Sequence, residues 1–264
     1  MNTLPRIRLG ELDVARLIAG SNPISGFSHG GPERTRAMLA YFTVERIKAH
    51  LRDCEAHGID ALVARADPFT MRVLAEYWAE GGTIRWIAQT APEHREPLRL
   101  IKKAKQAGAN AIYVHGGEVD RLMSDGRADE IVRQLDAIRA LGLPAGVAAH
   151  DPANLMELQR LGAPIEFYLV CLYNVSGYRG RTEAEPEERF DDADRAAALT
   201  VGRSLDRPCV YYKVYGAGRR TGEDALADVA ALIRPCDGVL VGMFPPDHPN
   251  IVHENVRRIA RLGS

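Results

Sequence analysis

The sequence predicts a (β/α)8 barrel, and three observations support this fold class. Eight short apolar, β-branched runs recur along the chain, each run ends abruptly in polar residues, and a segment with helical spacing of apolar residues usually follows. The length of 264 residues is that of one barrel domain rather than of two smaller domains. In such barrels the chemistry lies where strands end and loops begin, so the residues after each run are the first candidates for a site.

The predicted elements alternate regularly over a single domain, 1–264. The strands cover 14–20, 60–64, 84–88, 110–114, 145–149, 166–172, 208–213 and 237–242. The helices cover 44–57, 69–80, 95–107, 127–141, 152–161, 192–204, 222–233 and 249–261. Thr43 is a suitable N-cap for the first helix, and Gly58 follows its end, as is typical of helix C-termini.

Two long connections interrupt this alternation. Segment 21–43 is dense in Gly, Pro, Ser and His, and segment 174–191 is rich in Arg, Glu and Asp. Connections of this length are usually lids or binding loops. The sequence leaves open whether they close over a ligand or contact a second subunit of a homo-oligomer.

Composition narrows the class of protein. The formal net charge of -1 and the pI near 6.7 argue against nucleic acid as the main partner, because phosphate binding usually requires a basic excess. No segment approaches the roughly 18 apolar residues of a membrane span, and the N-terminus lacks the apolar core of a secretory signal. The four cysteines form no CxxC pair. We therefore expect a cytoplasmic protein with reduced thiols that acts on a small molecule.

Two histidines directly follow neighbouring strands. His115 ends the fourth apolar run and His150 the fifth, so their side chains would converge at the rim of a barrel. Histidine titrates near neutral pH and binds metals, so the pair predicts proton transfer or a divalent metal such as Zn, Mn or Fe, with Asp67 and Gln89 as oxygen ligands. No HxH or HExxH spacing is present, and a metal-free proton shuttle explains the same residues. Hydrogen bonds to loop carbonyls are the structural alternative.

Lys213 ends the seventh run. A lysine presented into a barrel mouth can form a Schiff base, act as a base or bind an anionic group. A salt bridge to a strand-end carboxylate such as Asp67 is the structural alternative. We predict that His115, His150, Lys213 and Asp67 form the catalytic centre.

Further polar residues in the same loops predict substrate and anion binding. Hydrogen-bonding side chains suited to a hydroxylated or carboxylated substrate are Asn22, His29, Arg65, Gln89, Tyr173, Asn174 and Arg219. Barrels often bind phosphate with backbone amides of the last two loops, which here contain Gly216, Gly218 and Gly242.

Two stretches resemble the aldo-keto reductase superfamily. Residues 8–23 resemble its opening hairpin and first strand, and residues 238–243 with 254–256 resemble its last strand and the following helix. The resemblance implies a barrel that binds NADP(H) and a catalytic Asp, Tyr, Lys and His. Asp67 and His115 fall near two of those positions, whereas Gln89 stands at the end of the strand that would supply the lysine. Segments 22–30, 86–90 and 114–117 are also similar to bacterial barrel proteins of unknown function.

Three functions are compatible with these residues. The first is an acid/base enzyme, an isomerase, lyase or aldol-type enzyme, in which His115 and His150 move protons or hold a metal and Lys213 stabilises an oxyanion. The second is an NADP(H)-dependent oxidoreductase. The third is a barrel without catalysis that binds a metabolite.

Overall fold

A computed structural model describes residues 4–173, 190–220 and 224–261. The chain opens with an antiparallel hairpin of β1 (Arg6–Leu9) and β2 (Leu12–Ala15). Eight parallel strands then close into a barrel: β3 (Leu17–Gly20), β4 (Ala61–Arg65), β5 (Arg85–Gln89), β6 (Ala111–Val114), β7 (Ala145–Ala149), β8 (Phe167–Cys171), β9 (Cys209–Tyr212) and β10 (Gly238–Gly242). Their order around the barrel is β10-β3-β4-β5-β6-β7-β8-β9, which confirms the predicted (β/α)8 barrel.

Helices surround the barrel. They are α1 (Pro32–Tyr41), α2 (Val44–Ala56), α3 (Pro68–Ala79), α4 (Pro97–Gln106), α5 (Gly116–Ser124), α6 (Ala128–Ala140), α7 (Pro152–Arg160), α8 (Asp192–Ser204), α9 (Asp224–Leu232) and α10 (Ile251–Ala260). A 3-10 turn, Gly216–Gly218, follows β9. Thr43 caps α2 as the sequence predicts, because its side chain accepts a hydrogen bond from the Arg46 amide at 3.3 Å. Within the described residues, no helix is both long and apolar enough to cross a membrane.

The barrel strands are buried on both faces and separate two apolar clusters. The larger cluster lies between strands and helices, and the smaller one fills the barrel interior. Ile7, Leu9 and Val14 of the hairpin belong to the interior cluster. The hairpin therefore plugs the amino end of the barrel, and only the carboxyl end remains for a site.

Three local features differ from the sequence prediction. The predicted strand 14–20 is divided at Arg16, whose amide donates to Pro5 O at 2.7 Å while its carbonyl accepts from the Val239 amide at 2.9 Å. The backbone of Arg16 thus forms one hydrogen bond to the segment that leads into the hairpin and one to strand β10 of the barrel. Segment 21–43 contains α1, which buries only Met38 and so shows little amphipathic pattern. Helix α5 begins directly after β6 with two glycines, which are poor helix formers, so no helix is expected there.

Candidate active site

The alternation of side chains along strands determines which residues point into the barrel mouth. Interior core residues include Val63, Ile87, Tyr113, Ala148, Leu169 and Val210. The residue two positions later on each strand points the same way, one layer higher. These residues are Arg65, Gln89, His115, His150, Cys171 and Tyr212. The predicted histidines thus belong to one ring, and their ring centroids lie 6.4 Å apart.

His150 is paired with a carboxylate that the sequence analysis did not identify. Its Nδ1 atom lies 2.9 Å from Asp120 Oδ2, and the same oxygen accepts a hydrogen bond from the His150 amide at 3.0 Å. Asn154 Nδ2 donates to the other oxygen at 2.8 Å. These hydrogen bonds keep the pKa of Asp120 below its usual range, although burial opposes them. An ionised Asp120 holds the proton of His150 on Nδ1, so Nε2 is the atom that can take up a further proton.

A close approach of two backbones brings Asp120 to His150. Asp120 lies one helical turn after Gly116, at the start of α5. A Cβ atom on Gly116 would lie 3.3 Å from the Tyr212 hydroxyl and 3.4 Å from His150 Cε1, which is tighter than ordinary contact. The glycine therefore lets α5 begin against β7 and β9. The spacing of His115, Gly116 and Asp120 is the sequence signal that could have indicated this carboxylate.

His115 is held as a neutral imidazole. Its Nδ1 accepts a hydrogen bond from the Gly117 amide at 3.1 Å, so the proton of the neutral ring is on Nε2. Burial lowers the pKa of His115 to about 4, and the positive charges of Arg65 and Lys213, and that of His150 when it is protonated, add to this effect. At neutral pH this side chain is therefore a hydrogen-bond donor without charge.

A buried polar chain fixes the backbone of His115. The His115 amide donates to Thr90 Oγ1 at 2.9 Å, and this hydroxyl lies 3.4 Å from Glu118 Oε2. Gln134 Nε2 donates to the other oxygen of Glu118 at 2.9 Å. Thr90, Glu118 and Gln134 are all buried and were not identified from the sequence, because nothing in their local pattern distinguishes them from ordinary helix and strand-end residues.

Lys213 enters the site by a change of backbone conformation. Tyr212 points inward by alternation, so the next residue would point outward in a regular strand. Lys213 instead has a φ of 61°, a left-handed conformation that costs a residue with a side chain about 1–3 kcal/mol. Its Nζ atom is buried, lies 5.8 Å from the centroid of the Phe190 ring, and has no hydrogen-bond partner among the described residues.

Asp67, predicted as a member of the catalytic set, has its side chain engaged in a helix cap. Its Oδ1 accepts a hydrogen bond from the Thr70 amide at 2.8 Å, so Asp67 is the N-cap of α3. In the described part of the chain Lys213 forms no ion pair, so the alternative of a salt bridge to Asp67 is wrong. Asp residues are favoured at N-caps because they satisfy free helix amides. The carboxylate beside the histidines is Asp120 instead.

Arg65 and Gln89, both predicted to contact substrate, lie in the inward ring. Arg65 forms an ion pair with Glu93, and its guanidinium lies 5.7 Å from the centroid of the Phe27 ring. Burial lowers the pKa of Arg65, but arginine stays charged. Gln89 Nε2 donates to the Tyr113 hydroxyl at 2.7 Å. A guanidinium and an amide at this rim suit a carboxylated or hydroxylated ligand.

The remaining predicted substrate residues are more scattered. Asn22 is exposed, and Tyr173 is fully buried with its ring 5.2 Å from that of Phe190. The carbonyl of His29 accepts a hydrogen bond from Arg219 at 3.2 Å, and the Arg219 guanidinium lies 4.3 Å from the centroid of the Phe190 ring. The Phe190 ring therefore packs against both Tyr173 and Arg219. Asn174, like residues 174–189 of the predicted loop 174–191, lies outside the described residues.

The predicted anion site of backbone amides is not supported. The Gly216 amide donates to Lys213 O at 2.7 Å, and the Gly218 amide donates to Tyr215 O at 2.9 Å. Both amides are thus used within the 3-10 turn. Gly242 pairs with Gly20 on β3, and a Cβ there would lie 2.8 Å from Pro23 Cδ. Its small size serves strand packing.

Two predicted binding roles concern a metal at His115 and His150 and NADP(H) at the last strand and the following helix. Among the described residues, no group of three or more His, Cys, Asp or Glu side chains is arranged to hold a metal ion, so His115 and His150 stay a two-residue prediction. The resemblance to aldo-keto reductases implies that the last strand and the following helix, which contains Asn255, bind the adenine end of NADP(H). Asn255 is fully buried, and its Oδ1 accepts hydrogen bonds from Tyr215 at 2.6 Å and Arg258 at 3.1 Å. These contacts occupy the oxygen of Asn255, whereas its Nδ2 has no hydrogen-bond partner among the described residues, and NADP(H) binding stays a prediction.

Comparison with known proteins identifies the fold. No protein-family model and no curated protein matches the sequence. Solved structures that resemble this chain include the Amycolatopsis orientalis BexX/CysO complex (17% identity, 98% of this chain and 94% of that one, TM-score 0.57). A protein from Pseudomonas aeruginosa, provisionally named an aldo-keto reductase, shares 16% identity over 99% and 98% of the chains, with a TM-score of 0.61.

A third similar structure is provisionally named 2,5-diketo-D-gluconic acid reductase B. It shares 12% identity over 98% of this chain and 87% of that one, with a TM-score of 0.62. The suspected distant resemblance to aldo-keto reductases is thus consistent with the structural neighbours. At these identities the likeness shows a common barrel fold, and the chemistry must be argued from the site.

Proposed function

We propose that this protein is an enzyme that transfers protons next to the carbonyl group of a small, hydroxylated or carboxylated compound, as an isomerase, lyase or aldol-type enzyme. The observation that carries the proposal is the difference between the two histidines. The Nδ1 atom of His150 is hydrogen-bonded to Asp120 Oδ2 at 2.9 Å, whereas His115 is a neutral hydrogen-bond donor with a pKa of about 4. Neighbouring titratable groups with different environments are typical of a base and an acid that act together.

The proposed roles follow from protonation. His150 Nε2 takes the proton from the carbon next to the carbonyl, and Asp120 stabilises the imidazolium that forms. The Nε2 proton of His115 is offered to the carbonyl oxygen, where negative charge develops. Lys213 supplies a positive charge for the enolate. Arg65 and Gln89 would orient the substrate.

Proton exchange with solvent tests this proposal before the natural substrate is known. Glyceraldehyde, dihydroxyacetone and pyruvate are incubated with the protein in D2O, and loss of the protons next to the carbonyl is followed by NMR. We expect catalysed exchange with at least one compound. His150→Ala should slow it by about 10²–10⁴-fold, the usual contribution of a general base, and Asp120→Asn should also slow it.

His253→Ala is the matched control, because His253 is exposed on α10 and its ring lies 5.7 Å from that of His57, the residue that ends α2. It should leave the exchange rate unchanged. Equal rates for wild type, His150→Ala and His253→Ala would contradict the proposal. If His115→Ala and Lys213→Ala also changed nothing except stability, the result would favour a barrel without catalysis that binds a metabolite or a partner protein.

Two further measurements address the metal-assisted and oxidoreductase forms of the hypothesis. Elemental analysis of untagged protein would reveal bound Zn, Mn or Fe, and its loss in His115→Ala and His150→Ala would assign the metal to the two imidazoles. Titration with NADPH, followed by fluorescence, would reveal cofactor binding. Micromolar binding of NADPH would favour the oxidoreductase over proton transfer.

A further inference from the structure

Lys213 is half-buried, and its amine has an environment unlike that of Lys48. Lys48 is buried, and its Nζ forms ion pairs with Glu45 at 2.8 Å and Glu80 at 2.5 Å. Lys213 Nζ is buried without a hydrogen-bond partner in residues 4–173, 190–220 and 224–261. Buried lysines are normally paired, so an amine of this kind calls for an explanation.

The backbone holds this amine in place at a cost. Lys213 adopts a φ of 61°, and Ala217 in the following turn adopts 55°, both in the left-handed region. The Lys213 carbonyl accepts a hydrogen bond from the Gly216 amide at 2.7 Å, which closes the turn directly after β9. Strained conformations of residues other than glycine occur mostly at functional sites, where the surrounding structure maintains them.

The surroundings of the amine are those of the candidate site. The ring of Phe190 lies 5.8 Å away. Burial is the main cause of the low pKa of His115, and the charge of Lys213 lowers it further. Burial raises the pKa of the Cys171 thiol, and the charge of Lys213 opposes that shift. The amine therefore acts on two inward-pointing residues of the barrel mouth and is bordered by an aromatic ring.

We propose that Lys213 is a covalent catalytic residue that forms an imine with the carbonyl carbon of an α-hydroxy aldehyde or an α-keto acid. The inference rests on the proposed function and deepens it, since a protonated imine withdraws electrons from the neighbouring carbon more strongly than a carbonyl does. A nucleophilic lysine in an apolar setting is a known way to split such reactions into easier steps.

The step balances without a further reactant. A base removes one proton from the ammonium group, and the nitrogen lone pair forms a bond to the carbonyl carbon. The carbonyl oxygen takes up protons and leaves as water, while the nitrogen retains a positive charge in the C=N bond. Loss of a proton from the adjacent carbon to His150 then gives an enamine.

Reductive trapping tests the imine directly. The wild-type protein is incubated with glycolaldehyde or pyruvate, reduced with sodium borohydride, digested and mapped by mass spectrometry. We expect modification of Lys213 by the mass of the carbonyl compound less one oxygen atom. The other lysines of the sequence are Lys48, Lys102, Lys103 and Lys105. The last three are exposed on α4 and report non-specific reaction. Modification confined to them would overturn the proposal.

Lys213→Arg distinguishes a covalent role from a purely electrostatic one. Arginine keeps the positive charge and the same backbone preference but forms no such imine under these conditions. We expect Lys213→Arg to lose trapping and to slow deuterium exchange by about a hundredfold or more, as does removal of a group that acts in the transition state. Lys103→Arg should change neither readout, and circular dichroism confirms that both variants are folded.

The outcomes separate this inference from the proposed function. Catalysed exchange that persists in Lys213→Arg, with no trapping in wild type, would overturn the imine and leave proton transfer by His150 in place. Absence of exchange in wild type would contradict the proposed function, and trapping at Lys213 would then still establish a reactive lysine.

Discussion

The two ends of the barrel use charge in opposite ways. At the amino end, the fully buried Asp237 accepts a hydrogen bond from the Cys209 amide at 2.8 Å. It also accepts one from the Arg234 amide at 3.0 Å and two from the Arg234 guanidinium at 2.8 and 2.9 Å. Arg16 donates to the Asp237 carbonyl at 2.9 Å. At the carboxyl end, Lys213 has a buried amine without a partner among the described residues, and burial keeps His115 neutral.

This contrast shows that one fold assigns stability and chemistry to different ends. Paired buried charges at the amino end hold the strands and the hairpin plug together. Unpaired or strained polar groups at the carboxyl end reduce stability and are available for a ligand. The same division is general in (β/α)8 barrels, whose active sites lie at the carboxyl ends of the strands.

The largest expected effect on stability comes from the amino end. Asp237→Ala removes the acceptor of four N–H hydrogen bonds and leaves Arg234 without its ion pair. We expect the free energy of unfolding to fall by about 3–5 kcal/mol, as for other buried ion pairs that lose one partner. Urea denaturation measures this, and deuterium exchange at low temperature should be unaffected while the variant is folded.

Asp13→Ala is the control, because Asp13 forms an ion pair with Arg6 on the surface of the hairpin. It should cost at most about 1 kcal/mol. Equal losses for the two variants, or a loss of exchange activity in folded Asp237→Ala, would contradict the division between the two ends.

A medium effect is expected from pH, through His115. Its pKa in the folded protein is about 4, below the ordinary 6.5. Between these values the unfolded chain binds a proton that the folded protein does not, so stability falls as the pH falls from 6.5 to 4. At about 1.4 kcal/mol per pH unit, the loss reaches about 3 kcal/mol.

His115→Asn should remove this part of the pH dependence. Urea denaturation of the two proteins at several pH values isolates the contribution of His115. The pKa of His50 is also lowered by burial, but this effect is common to both proteins. Asp120 contributes only below this pH window, because its pKa is lowered from 3.8. Parallel stability curves for wild type and variant would show that His115 is not held neutral by the fold.

The smallest effect is a gain in stability at the carboxyl end. Lys213→Gly relieves the left-handed conformation at a φ of 61° and removes the buried amine. We expect the free energy of unfolding to rise by about 1 kcal/mol, partly offset by the flexibility of glycine in the unfolded chain. Exchange activity should be lost at the same time. Destabilisation instead would show that Lys213 has a structural role.

Much of the site could be predicted from the sequence because strand ends are visible in it. His115, His150, Arg65 and Gln89 each follow an apolar run by one residue, and the structure brings them into one ring. Asp120 was missed because it lies on α5, whose start contains two glycines. Asp67 was predicted to be catalytic because it follows a strand. A carboxylate in that position can equally cap the next helix, as Asp67 does for α3.

By itself, the sequence determined the fold class and the ring of side chains at the barrel mouth, because apolar periodicity and strand alternation are local properties of the chain. Only the tertiary structure decided which carboxylate pairs with His150, which imidazole is neutral, and where the amine of Lys213 lies. The pairing of His150 depends on a close contact at Gly116, the neutral state of His115 on burial, and the position of the Lys213 amine on a left-handed backbone conformation. Burial and contact arise only when distant segments of the chain pack together.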